Sequence, residues 1–179
     1  MKRILFAFLA FGLLYTGSCK LIDKLTRFYV DYDAQVVYAA GLPVGLPLTI
    51  YSPEVTTNAT QNFESNNTRA DLVKSIKLNQ MSLNITSPQG QTFSFLQSVS
   101  VYISAPNLPE VEIAGKQNIP SNAGSQLSLD VNDVELKSYI SSDSIQLRVS
   151  STSNQILTQD VYIDVYSKFY VQADVLKAL

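Results

Sequence analysis

Apolar and polar residues alternate along most of the chain after position 27, a pattern typical of strands with one buried face. From Phe28 to Tyr38 every second residue is apolar or small, and Asp31 and Asp33 lie among the residues between. Successive side chains of a strand point to opposite faces, so this period of two predicts a half-buried strand. The alternation continues in shorter runs and predicts seven or eight strands: 28–38, 48–51, 75–86, 99–103, 111–113, 127–131, 145–149 and 161–171.

Three stretches depart from the simple alternation. Within 75–86 the apolar phase shifts at Asn79 and Gln80, which is the effect of one extra residue, so we predict a β-bulge there. Residues 87–90, Ser-Pro-Gln-Gly, have Pro second and Gly fourth, which favours a type I turn. Residues 54–70 are rich in Thr and Asn and predict a long loop or a weakly specified outer strand.

Four side chains with oxygen ligands lie close together between two predicted strands: Asp130, Asn132, Asp133 and Glu135. Such side chains bind Ca²⁺, but their spacing lacks the Gly and the later Glu of an EF-hand. Asn132 and Glu135 also have the spacing of a capping box ahead of the apolar Leu136. We therefore interpret the group as the start of a short helix, with Asn132 as its cap, and predict no metal site.

Many short strands, frequent turn signals and little helix together predict an all-β fold. The expected architecture is an antiparallel, immunoglobulin-like β-sandwich of about 7–8 strands with one short helix. The cysteine pair and the tryptophan of antibody domains are absent. An open barrel is the alternative.

The first nineteen residues have the organisation of an export signal. Met1-Lys2-Arg3 is positively charged, Ile4–Tyr15 is an uninterrupted apolar run, and small residues lead to Cys19. The apolar run is too short for a membrane span, which needs about 20 residues. A buried core helix is the alternative, but a core helix would not normally begin at Met-Lys-Arg and then be apolar on every side.

The tetrapeptide Thr16-Gly17-Ser18-Cys19 resembles the lipobox of bacterial lipoproteins, although that family more often has Leu at the position of Thr16. The resemblance implies cleavage before Cys19 and attachment of lipid to its sulfur. It divides the chain into a signal peptide at 1–18, a lipidated tether at 19–27 and a β-sandwich domain at 28–179. Lys20 stands where the family's inner-membrane retention signal would have Asp, which implies the outer membrane. The mature domain resembles the immunoglobulin-like sandwiches of envelope lipoproteins without assigned function.

Composition excludes several functional classes. The 179 residues contain no His and one Cys, so a Ser-His-Asp triad and a histidine-ligated metal site are both impossible. A net charge of −2 argues against nucleic acid as a partner. Phosphate-binding glycine loops and nucleophile elbows are also missing from the sequence. We expect no enzyme activity and no cofactor.

The last predicted strand carries the candidate binding residues. Tyr162, Tyr166 and Tyr170 share one face with Asp164 and Lys168. Tyrosines on a strand offer flat apolar rings with a polar edge, which suits a sugar or a partner protein. The simpler interpretation is that Tyr has a high strand propensity on a solvated sheet face.

Two hypotheses for function follow. The first is a non-enzymatic, lipid-anchored protein of the cell envelope, bound to the membrane through lipid on Cys19, with a structural role or an envelope protein as its partner. The second is surface carbohydrate binding or adhesion through Tyr162, Tyr166 and Tyr170.

Overall fold

The computed structural model describes residues 27–174, which form ten strands and two short helices. The strands are β1 (Arg27–Tyr38), β2 (Pro47–Tyr51), β3 (Val55–Thr56), β4 (Val73–Ser87), β5 (Leu96–Ser104), β6 (Val111–Lys116), β7 (Gln126–Ser128), β8 (Asp130–Val131), β9 (Ser144–Ser153) and β10 (Val161–Ala173). The helices are α1 (Ala59–Ser65) and α2 (Lys137–Ile140), with a 3₁₀ turn at Phe93–Phe95. Within this part of the chain, neither helix is long and apolar enough to cross a membrane. The predicted signal peptide, Cys19 and all of the tether but Arg27 lie outside the described residues.

The strands pack as two antiparallel sheets, which confirms the predicted all-β sandwich. One sheet has four strands in the order β1-β10-β4-β7. The other has six, in the order β2-β9-β5-β6-β8, with β3 also beside β9. The open-barrel alternative is wrong, because the described strands divide into two separate sheets.

The strand pairing follows one long antiparallel ribbon that folds back on itself. Arg27 pairs with Gln172. Pro47 lies twenty residues after Arg27, and it pairs with Thr152, which lies twenty residues before Gln172. The ribbon therefore keeps one register as it crosses from the four-stranded to the six-stranded sheet. The pairs β4·β7 and β5·β6 nest inside it. Nested pairs divided between two sheets describe the wrapping of a jelly roll.

This strand order differs from the predicted immunoglobulin-like order. Immunoglobulin sandwiches place the first and last strands in different sheets. Here β1 and β10 pair with each other over twelve residues. The period of two locates each strand but carries no information about its partner, because pairing depends on residues that are far apart in the chain.

The core lies between the sheets and is filled by the apolar residues of each alternating strand. In β10 the inward-facing residues are all buried, as predicted: Val161, Ile163, Val165, Phe169 and Val171. Aromatic rings meet there. The ring centroids of Tyr32 and Phe169 are 5.7 Å apart, and those of Tyr38 and Phe95, in the 3₁₀ turn, are 5.5 Å apart. Both pairs have the edge-to-face geometry that aromatic rings prefer.

The β-bulge predicted at Asn79 and Gln80 is confirmed. Lys168 pairs with Gln80 and the next residue, Phe169, pairs with Leu78, so Asn79 is left out of the pairing. Leu78 and Met81 are three residues apart and would face opposite sides of a regular strand. Because Asn79 is an extra residue, both side chains face the core, and both are buried.

Other local predictions are corrected by the structure. Residues 54–70, predicted as a long loop or an outer strand, contain the two-residue strand β3 and the helix α1, so there are two short helices instead of one. Phe63 explains α1, because its buried ring packs edge-on against Phe28 at 6.4 Å. The turn predicted at 87–90 lies one residue later, where the Gln91 amide donates to the Pro88 carbonyl at 3.2 Å.

The predicted strand 127–131 is also two separate strands. β7 pairs with β4 in the four-stranded sheet, and β8 pairs with β6 in the six-stranded sheet. The chain changes sheets at Leu129, whose amide donates to the Met81 carbonyl at 3.0 Å.

We predict that the protein loses stability at alkaline pH because of Tyr38. Burial raises the pKa of Tyr38 from 10.0 to about 12, despite its hydrogen bond to the Ser151 hydroxyl at 2.8 Å. The unfolded chain therefore releases this proton at lower pH than the folded chain, and the free energy of unfolding falls between about pH 10 and 12, by roughly 2–3 kcal/mol. Urea unfolding as a function of pH measures this fall.

Tyr38→Phe should be less stable at neutral pH, because the Ser151 hydroxyl loses a buried partner, at a cost of about 1–2 kcal/mol. Its fall above pH 10 should be smaller than in the wild type. Tyr51→Phe, at an exposed side chain, is the control. An identical alkaline fall in wild type and Tyr38→Phe would show that Tyr38 is not its cause.

Candidate functional site

The three predicted tyrosines lie on the outer face of the four-stranded sheet, along β10. Tyr162 is 39% exposed, and Tyr166 and Tyr170 are half-buried. They face outward because side chains alternate along β10 and the intervening set, which includes Ile163 and Val165, is buried in the core. They are four residues apart, which is about 13 Å along an extended strand. A single sugar ring is too small to contact all three, so only an extended ligand fits the whole row.

A fourth tyrosine, which the sequence analysis did not include, completes this surface. Tyr29 of β1 pairs with Tyr170 across the strands, and their ring centroids are 5.7 Å apart. Tyr29 is 50% exposed, and the Lys168 ammonium lies 4.9 Å from the centre of its ring. We call Tyr29, Tyr162, Tyr166 and Tyr170 the tyrosine face. Only the β1–β10 register could have identified Tyr29 as a member.

Carboxylate and amide groups lie between these rings. Partial burial, a hydrogen bond to the Asp31 side chain and the charge of Asp33 raise the pKa of Tyr166, so its hydroxyl stays protonated at neutral pH. The Gln35 amide donates to Asp164 at 2.9 Å. The tyrosine face therefore combines flat rings with fixed donors and acceptors.

A second aromatic cluster lies on the outer face of the six-stranded sheet, and the sequence analysis missed it. The Arg148 guanidinium lies 3.9 Å from the centre of the Tyr102 ring. Arg148 also donates two hydrogen bonds to the Glu110 carboxylate, at 2.7 and 2.6 Å. The charge of Arg148 is thus matched within the protein.

The residues considered for calcium do not converge on one point. Asp130 pairs with Lys116 at 3.1 Å, and Asp133 pairs with Lys77. Asn132 donates to the Glu112 carbonyl at 3.2 Å. Across residues 27–174, no group of three or more acidic or cysteine side chains is placed to hold a metal ion.

Glu135 has the strongest structural role in this group. Its carboxylate accepts hydrogen bonds from the Ile76 amide at 2.9 Å, the Ser75 hydroxyl at 2.6 Å and the Lys137 amide at 2.9 Å. Burial acts to raise the pKa of Glu135, but these three hydrogen bonds outweigh burial and lower the pKa. The predicted capping box is wrong, because Leu136 is the residue at the helix N-cap. Glu135 nevertheless lies at the start of the helix and accepts a hydrogen bond from its first amide, that of Lys137.

Three of the surface clefts in residues 27–174 have carboxylates in their lining. One of about 140 Å³ has a single carboxylate, that of Glu54, in its lining. Another, of about 290 Å³, has only that of Asp143. A third, also of about 290 Å³, includes Glu112 and Asp130, but Asp130 is paired with Lys116. None of these three clefts offers two unpaired carboxylates for acid–base chemistry.

Comparisons with known proteins give only distant likenesses. No protein-family model matches the sequence, and no curated protein matches it. Among solved structures, the acid-stable capsid of the Helicobacter pylori bacteriophage KHP30 is 9% identical, with a TM-score of 0.38, over 80% of this chain and 92% of that chain. The decameric BFDV capsid protein is 9% identical, with a TM-score of 0.33, over 82% and 99%. A carbohydrate-binding module of the β-sandwich superfamily is 13% identical, with a TM-score of 0.26, over 83% and 55%.

We predict that Glu135→Ala destabilises the fold by about 2 kcal/mol, because the Ile76 and Lys137 amides lose their acceptor. Asp133→Ala is the matched control and removes only an exposed ion pair, which is worth about 0–1 kcal/mol. Urea unfolding of the two variants compares these costs. Equal costs, or a rise in melting temperature on adding Ca²⁺, would contradict the structural role that we assign to this group.

Proposed function

We propose that this chain is a non-enzymatic, lipid-anchored protein of the cell envelope that binds an extended partner through its tyrosine face. The observation that carries the proposal is the row of outward tyrosines on β10, extended onto β1 by the contact between Tyr29 and Tyr170. The lack of His in the sequence and the internal pairing of Asp130 and Asp133 support a non-enzymatic role.

An extended glycan is the ligand class that this surface fits best. Aromatic rings stack on the apolar faces of sugars, and carboxylates, amides and ammonium groups bind the hydroxyls at their edges. The tyrosine face provides both kinds of contact, with Asp164, Gln35 and Lys168 beside the rings. Its tyrosines span about 26 Å from Tyr162 to Tyr170, which fits several consecutive sugars better than one.

The anchor is proposed from the resemblance of Thr16–Cys19 to a lipobox, and the start of β1 is compatible with it. Arg27 lies eight residues after Cys19, so a fully extended tether places it no more than about 29 Å from the lipid. Tyr29 and Tyr170 are then near the anchored end of the sheet, and Tyr162 is at the other end.

We predict that Cys19→Ala releases the protein from the outer-membrane fraction, because the sulfur that carries the lipid is lost. Fractionation of cells that express the full chain measures the change. Lys20→Asp is the matched variant, and by the family's sorting rule it moves the protein to the inner membrane. If Cys19→Ala fractionates like the wild type, the lipoprotein assignment is wrong. Protease treatment of intact cells then distinguishes a surface-facing from a periplasm-facing protein.

We predict that replacing Tyr162, Tyr166 and Tyr170 with Ser lowers retention on immobilised envelope polysaccharide by at least roughly tenfold, since each stacked ring contributes about 0.5–1.5 kcal/mol. Tyr29→Ser should weaken retention in the same direction. Tyr51→Ser, at an exposed tyrosine of the other sheet, is the control. Circular dichroism checks that each variant is folded. Unchanged retention in a folded triple variant would exclude the tyrosine face as the glycan site.

A further inference from the structure

The longest edge strand in residues 27–174 is β1. It has β10 on one side and no strand on the other. Its twelve residues contain no Pro and no Gly, and its pairing with β10 has no bulge. The other edge strands are short, which is how proteins commonly protect a sheet edge. β7 has three residues, β8 has two, and β2 has five, begins at Pro47 and is followed by Pro53.

The hydrogen-bonding direction of β1 follows from a bond that β4 makes. The Ile76 carbonyl accepts a hydrogen bond from the Leu136 amide at 2.7 Å, so Ile76 directs its backbone groups away from β10. In an antiparallel pair, opposite residues either exchange hydrogen bonds or both direct these groups away from each other. Val171 lies opposite Ile76, so its backbone groups bond to β1, where its partner is Phe28.

Every second residue of β1 from Phe28 therefore bonds to β10, because the backbone direction alternates along a strand. The residues between them direct their amides and carbonyls to the open edge: Tyr29, Asp31, Asp33, Gln35 and Val37. In the part of the chain that the structure describes, no group hydrogen-bonds to these outward amides and carbonyls. The same residues are exposed. The edge therefore offers a straight row of backbone donors and acceptors to an added strand.

The exposed side chains along this edge are acidic. Asp31 and Asp33 both lie on its outer face, and neither carboxylate forms a salt bridge within residues 27–174. Lys168 lies opposite Asp31, but its ammonium lies over the Tyr29 ring, 4.9 Å from the ring centre. The edge therefore favours a strand that has Lys or Arg opposite these two carboxylates.

The core side of the same edge is incompletely covered. The inward residues of the central strand β10 are all buried, whereas Phe28 and Ala34 of β1 are only half-buried. The side chains of an added strand alternate between the two faces, so its inward residues extend this apolar side. The best complement is therefore an amphipathic strand in which basic and apolar residues alternate.

We propose that the edge of β1 binds an extended basic segment of another protein, which joins the four-stranded sheet as an antiparallel fifth strand. In such contacts the backbone hydrogen bonds supply affinity and the alternate side chains supply specificity. Antiparallel pairing matches all the described strand pairs of both sheets. The contact does not rest on the proposed function, because it uses the backbone of β1 and not the tyrosine rings.

A second copy of this chain fits the edge poorly. Two β1 strands that pair antiparallel over their whole length place Asp31 opposite Asp33 on both sides of the two-fold axis. A shift of two residues in either direction places Asp31 or Asp33 opposite itself. Like charges directly opposite each other destabilise a strand pair. The two carboxylates therefore disfavour self-pairing and select a basic partner.

Binding of a synthetic peptide to the full chain in a non-ionic detergent tests the proposal. The probe has about ten residues, alternates Lys and Val, and carries a fluorescent label whose anisotropy reports the dissociation constant. The matched peptide alternates Glu and Val. We expect the lysine peptide to bind at least roughly tenfold more tightly, because Asp31 and Asp33 repel the glutamate peptide. Equal affinities would overturn the proposal.

N-methylation of the lysine peptide separates strand pairing from attraction by charge alone. In an antiparallel pair, the Lys residues opposite Asp31 and Asp33 direct their amides toward β1, and the Val residues direct theirs away. Methylation of the Lys amides should lower the affinity at least roughly tenfold, whereas methylation of the Val amides should change it little. Two methylated peptides of equal affinity would show that the peptide does not pair with this edge, and would overturn the proposal.

Substitutions in the protein test the charge. Asp31→Asn combined with Asp33→Asn should weaken binding of the lysine peptide roughly fivefold, since each exposed ion pair contributes modestly. Asp130→Asn combined with Asp133→Asn is the matched control. It removes the same charge from exposed carboxylates that contact Lys116 and Lys77, and it should bind like the wild type. Equal weakening in the two double variants would contradict selection of a basic partner by β1.

Discussion

The pairing of the first described strand with the last is the contact on which the rest of the structure depends. β1 and β10 pair over twelve consecutive residues without a register shift, whereas β10 and β4 have three shifts. Because side chains alternate, this one register determines what meets on both faces. Tyr32 packs on Phe169 inside, and Tyr29 packs on Tyr170 outside. A slip of one residue would exchange the two faces and bury the polar set.

The alternation in the sequence was enough to place the long strands, and even the bulge at Asn79, because each inward apolar residue must find the core. It could not show where the chain changes sheets. Residues 127–131 alternate as if they formed one strand, yet the chain passes from β7 to β8 at Leu129. Since the inner faces of both sheets line the same core, a change of sheet leaves the period of two unbroken. The pairing of the first strand with the last was hidden for a different reason, because it joins residues that are far apart in the chain.

The candidate site, like the strand arrangement, was only partly predictable from the sequence. The outward direction of Tyr162, Tyr166 and Tyr170 followed from the alternation of one strand, but the contact with Tyr29 required the partner strand. Glu135 is a similar case. Its spacing predicted a role at the start of a helix, while its hydrogen bond to the Ile76 amide joins it to β4, fifty-nine residues away in the chain. Local pattern therefore gives the direction of a side chain, and only the fold gives its partner.

The register that β1·β10 and β2·β9 share also explains how the chain crosses between the two sheets. On each side of the ribbon eight residues separate the paired segments, 39–46 on one side and 153–160 on the other, so the crossing keeps its backbone hydrogen bonds. A ribbon has two sides, and Leu42 and Leu157 already occupy the side that faces the core. These two side chains extend the core beyond the ends of the strands, so the crossing contributes to packing as well as to pairing.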